Sequence, residues 1–337
     1  MQLCLRLTSL DLELQSMSVP QDIPDGLSHL LTSLNWSNVD DWWKRWEHVG
    51  GVNLARHQWS VPVVDSWIAF VGLPLLSRVE SALLQGERVL LGISALPGCG
   101  KSTLCGWVKF ASQQLGWPVE HLSLDDFYWP APQLDNSMQG NPWCVPRALP
   151  GSHDTRGMLH ALQSWKENGQ IVAPRFDKSL RNGRGDRVGS SSSRPDVVLL
   201  EGWFLGVTPL PSIETEILEG LSEQELAWRS KAVSSLADYQ EIWTLLDDLW
   251  HLRAVRSDVS SRWKRQQLIT LERQCGVSYR ASDLADFNRM VLAALPPSWL
   301  RNLPLSSAVI DLTESRDVRE IQVMKSQLSA SSSSATG

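Results

Sequence analysis

The sequence predicts an α/β fold, a doubly wound parallel sheet with helices on both faces, and two observations carry that expectation. From residue 88 onward, short apolar runs of strand length alternate with longer segments of helical period, the pattern of βα units that build a parallel sheet. One of these runs leads directly into a glycine-rich turn and a helix, "SALPGCGKST" at 94–103. In such a sheet ligands collect at the carboxyl ends of the strands, which makes Ala95, Asp125 and Glu201 the positions to inspect.

Taken in order, "GLSHLLTSLNWSNVDDWWKRWEH" at 26–48 places Leu30, Leu34, Trp36, Trp43 and Trp46 at near-helical spacing, with Asn38 or Asp40 as the N-cap of its second piece. A tryptophan stripe of this kind is read as packing, because indoles bring large buried area. Residues 1–72 are therefore expected to form a helical, Trp-rich N-terminal extension. Arg88 to Ala95 reads as a buried parallel strand, and "GKSTLCGWVKFASQQLG" as a helix closed by Gly116. "VEHLSL" is the next strand, ending at Asp125 and Asp126. A helix from Asp154 to about Lys166 follows, then strands "IVAPRF" and "DVVLLEG". Helices are expected over 222–243, 257–275 and 282–294, with strands "LWHLRA" and "AVIDL". "GSSSSRP" at 189–195 reads as a flexible polar stretch. Residues 73–326 form the expected main domain, and 327–337 a disordered Ser-rich tail with almost nothing to bury.

Bulk properties narrow the partners. A net charge of −6 argues against a nucleic acid as partner of the whole chain. The five cysteines are scattered, without a C-x-x-C pair or metal-ligand spacing, which fits a reducing, cytoplasmic compartment. No run approaches the roughly 18 to 20 apolar residues of a membrane helix, and neither a secretory nor a transit peptide is expected. Oligomeric state is not legible.

The chemistry-bearing motifs follow the strands. "ALPGCGKS", Ala95 to Ser102, fits the Walker A pattern with alanine in first place. Gly98 and Gly100 let backbone N–H groups converge on a phosphate, Lys101 reaches the β and γ oxygens, and Ser102 offers a hydroxyl to Mg²⁺. Cys99 is a small filler inside this loop, and Gly98 to Thr103 is the expected ATP-binding stretch. No [NT]-K-x-D guanine reader is present, which excludes most switches. "DVVLLEGW" ends in a lone Glu201, able to hold Mg²⁺ through water but lacking the paired base of a hydrolase. In "LSLDDFY", Asp125 at the strand end can accept the proton of an acceptor hydroxyl, while Asp126 is equally a cap. This combination points to a small-molecule kinase.

Two further segments are substrate candidates. "PRFDKSLRNGRGDR" carries Arg175, Asp177, Lys178, Arg181, Arg184, Asp186 and Arg187 at a strand end, and its arginines suit a carboxylate-bearing substrate. Arg181 is read as a solvated member. "LPGSHD" delivers His153 and Asp154 at a helix start, where Asp154 serves equally well as an N-cap.

The set "GCGKSTL", "LSLDDFYW", "RALPGSHD", "PRFDKSLRNGRGDR", "VVLLEGWFLG" and "DVSSRWKRQQ" resembles D-glycerate 3-kinases of the plant and cyanobacterial type, relatives of phosphoribulokinase and uridine kinase. The similarity runs from about Leu73 to Asp311. It implies a P-loop NTPase-type sheet with a helical lid, and transfer of the ATP γ-phosphate to the 3-hydroxyl of D-glycerate in photorespiratory carbon salvage. It also implies Asp125 as base, Glu201 as the carboxylate of the Walker B strand, and Lys264 and Arg265 as lid residues. Cys99 and the serine-rich loop depart from the usual pattern. Apart from the resemblance, the residues leave open another small acceptor, such as a nucleoside, pantothenate or a sugar acid, and an ATP-binding regulator without transfer activity.

Overall fold

The computed structural model describes residues 22–51, 54, 59, 63–209, 220–256, 258–275 and 281–324. The expected tail at 327–337 and the first 21 residues lie outside them.

Helices α1 (Leu27–Ser33) and α2 (Val39–His48) open the described chain. Asn38 caps α2, its side chain accepting from the Asp41 N–H. Helix α3 runs Asp65–Gln85 and includes a π-turn at Ile68–Gly72. Its length and composition would suffice to cross a membrane, which corrects the expectation that no run approaches that character. In the fold, 72% of its apolar window is buried, so it is a core helix here. The expected 72/73 domain boundary falls inside it.

Strand β1 (Val89–Ala95) is wholly buried and leads through the glycine loop into α4 (Lys101–Gln114). Strand β2 (Val119–Ser123) ends in a 3₁₀ turn, Leu124–Phe127. Helices α5 (Ala131–Met138) and α6 (Thr155–Asn168) follow, then β3 (Ile171–Asp177), β4 (Asp186–Ser193) and β5 (Val197–Gly202). The remaining elements are α7 (Glu223–Ser235), β6 (Asp248–Ala254), α8 (Val259–Cys275), α9 (Ala281–Ala293), β7 (Ala308–Leu312) and β8 (Val318–Val323).

The main sheet has the order β2-β5-β1-β6-β7-β8. Its first five strands are parallel, and β8 runs antiparallel to β7. The α/β doubly wound expectation therefore holds. β1 lies in the middle of the sheet, so the loop after it opens on the central crevice. Two corrections concern the segment after α6. β3 joins a separate two-stranded antiparallel sheet, and the serine-rich stretch that read as flexible is its partner, β4, in register from Ile171↔Ser193 to Asp177↔Asp186.

Tryptophans of the extension are packing elements. Trp42, Trp43 and Trp46 are buried in the same core as β1 and β5. The Nε1 groups of Trp42 and Trp46 both donate to Ser77 Oγ of α3 at 2.8 Å, and Ser77 in turn donates to the Leu73 carbonyl. One serine thus satisfies two indoles that would otherwise be buried without partners.

Candidate active site

The site is a cavity of about 790 Å³ at the carboxyl ends of the central strands. The phosphate loop forms its floor. Gly98 and Gly100 hold φ of +80° and +107°, a backbone region that glycine enters without steric cost. Gly98 answers a second requirement as well: a methyl group there would sit 2.6 Å from the backbone nitrogen of Lys264, so α8 rests directly on the loop. Ser260 Oγ reinforces this contact by donating to the Pro97 carbonyl at 3.1 Å. Cys99 is buried in the loop, and burial pushes its thiol up to about 12, which makes it an inert filler.

Glu201, at the end of β5, faces the start of α4. It accepts from Ser102 Oγ at 2.6 Å, and its Oε2 lies 3.6 Å from Lys101 Nζ. That second oxygen is buried without a hydrogen-bond partner among the described residues. Adjacent Gly202 has a separate task, since a side chain there would collide with Leu124 at 2.3 Å. The glycine lets the 3₁₀ turn after β2 close over the end of β5, and that turn carries Asp125.

Asp125 lines the cavity two strands away from β1. Its Oδ2 pairs with Lys178 Nζ at 2.5 Å, and the Tyr128 hydroxyl also bonds to it. Burial alone would raise this carboxyl. The Lys178 ammonium outweighs that and holds it far below the usual carboxylate range. Asp126 does the capping: its side chain accepts from the Ser123 N–H at 2.9 Å, and burial raises its carboxyl.

Lys264 of α8 enters the cavity from above, its ammonium 5.4 Å from the Phe287 ring centre. Burial, with Lys178 and Lys101 nearby, lowers its ammonium to about 8. Arg265, one residue on, is exposed and does not line the cavity.

The sequence-predicted substrate residues separate. Lys178 lines the cavity, whereas His153, Asp154, Arg175, Asp177 and Arg187 do not. His153 is buried, its Nδ1 2.8 Å from the Tyr239 hydroxyl and its ring stacked on Tyr128 at 4.5 Å. Burial lowers its imidazole to about 4, so it is neutral at pH 7. Asp154 caps α6 and pairs with Arg187 at 3.2 Å, while Arg187 Nε donates to the Tyr128 carbonyl at 2.8 Å. Asp177 accepts from Ser179, and Arg175 is exposed. Arg181, read as solvated, and Arg184 both bind Asp135.

Several lining residues carried no motif signal. Arg147 and Trp203 stand on the Asp125 side. Val63, Val64 and Trp67 close another part of the wall together with Ser315 and Arg316 of the β7–β8 turn. Arg147 lies within the quoted "RALPGSHD", yet a lone arginine in a proline-flanked loop gives no indication of where it points.

A phosphate loop on a central parallel strand, a carboxylate behind it and a second carboxylate across the cavity define a P-loop phosphotransferase. A Schizosaccharomyces pombe protein named an uncharacterized kinase is 31% identical over 199 residues, spanning 54% of this chain and 71% of its own length. The chloroplastic D-glycerate 3-kinase of Arabidopsis thaliana is 28% identical over 232 residues, spanning 64% of this chain but only about half, 49%, of the plant protein. The solved structure of a D-glycerate 3-kinase from Cryptococcus neoformans superposes with a TM-score of 0.61 at 20% identity, covering 74% of this chain and 98% of that one, a likeness of fold. No protein-family model matches the chain. The chain belongs to the P-loop kinases and is an ATP-dependent small-molecule kinase.

Proposed function

We propose that this kinase phosphorylates the 3-hydroxyl of D-glycerate, producing 3-phospho-D-glycerate and ADP. The observation that carries the reading is the placement of Asp125 and Lys178 as a bonded pair across the cavity from the phosphate loop. This pair places an acceptor of the hydroxyl proton at the cavity wall, with the Lys178 ammonium holding that acceptor ionised. The motif set and the likeness to the plant relative support D-glycerate as the acid.

In this reading Gly98 to Thr103 hold the triphosphate, and Lys101 and Lys264 balance charge on the moving phosphoryl group. Ser102 and Glu201 Oε2, which accepts no hydrogen bond from a described residue, fit a divalent cation and would hold Mg²⁺, directly or through water. When bound, the ion would neutralise charge developing between the β and γ phosphates. Asp125 orients the glycerate hydroxyl. The bond from phosphorus to the ADP oxygen breaks, the bond to the glycerate oxygen forms, and the hydroxyl proton passes to Asp125. The α8 contact with the loop keeps water from the phosphoryl group.

The test is ADP release by the pure protein with D-glycerate, L-glycerate and uridine as acceptors. D-Glycerate should be turned over far faster than the other two. Faster turnover of uridine, or ATP hydrolysis indifferent to acceptor, rejects the reading.

A further inference from the structure

We propose that Arg147 is the residue that reads the acidic group of the acceptor, and that the β3–β4 hairpin acts by aiming Arg147 instead of by presenting its own arginines. The inference rests on the kinase reading of the cavity, but not on D-glycerate in particular.

The hairpin's own arginines are occupied elsewhere. Arg181 and Arg184 are held by Asp135, Arg187 by Asp154 and backbone carbonyls, and Arg175 is exposed and does not line the cavity. Arg147 lines the cavity and pairs with no carboxylate among the described residues. Its Nη1 donates to the carbonyls of Gly183 and Arg184 at the hairpin turn, at 2.6 and 3.0 Å, and its guanidinium lies 6.0 Å from the Phe176 ring centre. One edge of the fork is thereby fixed. Nη2 and Nε make no hydrogen bond to a described residue, which leaves a planar pair of donors suited to a carboxylate.

The segment presenting Arg147 is strained, and its neighbours impose the strain. Cys144 and Ala148 have φ of +50° and +91°, unusual for residues with a side chain. Asn141 clamps Val145 through both its backbone groups, and Trp203 Nε1 donates to the Ala148 carbonyl at 2.9 Å. Strain that the surroundings over-determine clusters at ligand clamps. Here it coincides with the cavity wall, since Val145, Ala148 and Trp203 all line it. On this side Lys178 is neutralised by Asp125, so Arg147 contributes an uncompensated positive charge. The acceptor that fits is small, with one anionic group facing Arg147, a hydroxyl facing Asp125 and a carbon chain against the Trp203 side of the wall.

The experiment compares wild type with R147Q and R147K, using D-glycerate and its neutral analogue glycerol at saturating ATP. R147Q should raise the KM for D-glycerate about 10- to 100-fold, the range of a lost charge-assisted hydrogen-bonded pair, and erase the preference over glycerol by a similar factor. The KM for ATP should stay within about twofold of wild type. R147K should recover only part of the loss, because an ammonium lacks the fork. An unchanged KM and preference overturns the proposal, as does an ATP KM that rises as much as the glycerate KM. If the wild type uses a different acid, the same ratios measured on that acid decide Arg147 while the D-glycerate reading fails alone. A neutral molecule as sole acceptor overturns Arg147.

Discussion

Asp125 is a poor base by its resting acidity, because Lys178 holds its carboxyl so low. Phosphoryl transfer tolerates this, since a loose transition state needs the hydroxyl aligned well before its proton moves. Asp125→Asn should therefore cut turnover by about two orders of magnitude or more while ATP binding persists. Turnover near wild type, measured by ADP release, would remove Asp125 from the chemistry. Lys264 gives a pH signature. With its ammonium lowered to about 8, it is charged below that pH and loses its proton as pH rises through it. The kcat/KM for ATP, which reports the free enzyme, should fall above about pH 8. Lys264→Arg should remove that alkaline limb, because a guanidinium stays protonated. An identical limb in the variant would assign it to another group.

At the scale of elements, the contact between α8 and the phosphate loop stands out. Gly98→Ala combines a positive φ with a methyl group 2.6 Å from the α8 backbone, so loop and helix cannot both keep their places. The variant should remain folded, weaken ATP binding by about tenfold or more, and expose α8 to limited proteolysis. Unaltered nucleotide titration and proteolysis would show that the contact is dispensable. Apart from the antiparallel edge strand β8, the strands of the main sheet were legible, because buried parallel strands appear as short apolar runs. β4 was not. Serine has little strand preference of its own, and this strand exists because β3 offers it a ladder of backbone partners. The membrane-like composition of α3 was equally opaque, because only the surrounding layers show that its apolar face is covered by protein.

Across the whole molecule, the N-terminal residues share one core with the catalytic sheet. Ser77→Ala would leave the indoles of Trp42 and Trp46 without their shared acceptor, at a cost of about 2 kcal/mol or more. A lower unfolding midpoint with unchanged kcat per folded molecule is expected, and an unchanged midpoint would mean that the indoles find other partners. The sequence by itself determined the fold class, the phosphate loop, and the placement of Asp125 and Glu201 at strand ends. Those features are local, since a βα unit carries its strand end and the following turn within a few residues of each other. Tertiary structure alone decided which cations face the cavity. An arginine's direction depends on the carboxylate or carbonyl it meets, and Asp135, Asp154 and the hairpin turn lie tens of residues from the arginines they hold. Thus Lys178 of the segment that read as the substrate loop lines the cavity while its arginines do not, and Arg147, unmarked in sequence, stands at the cavity wall.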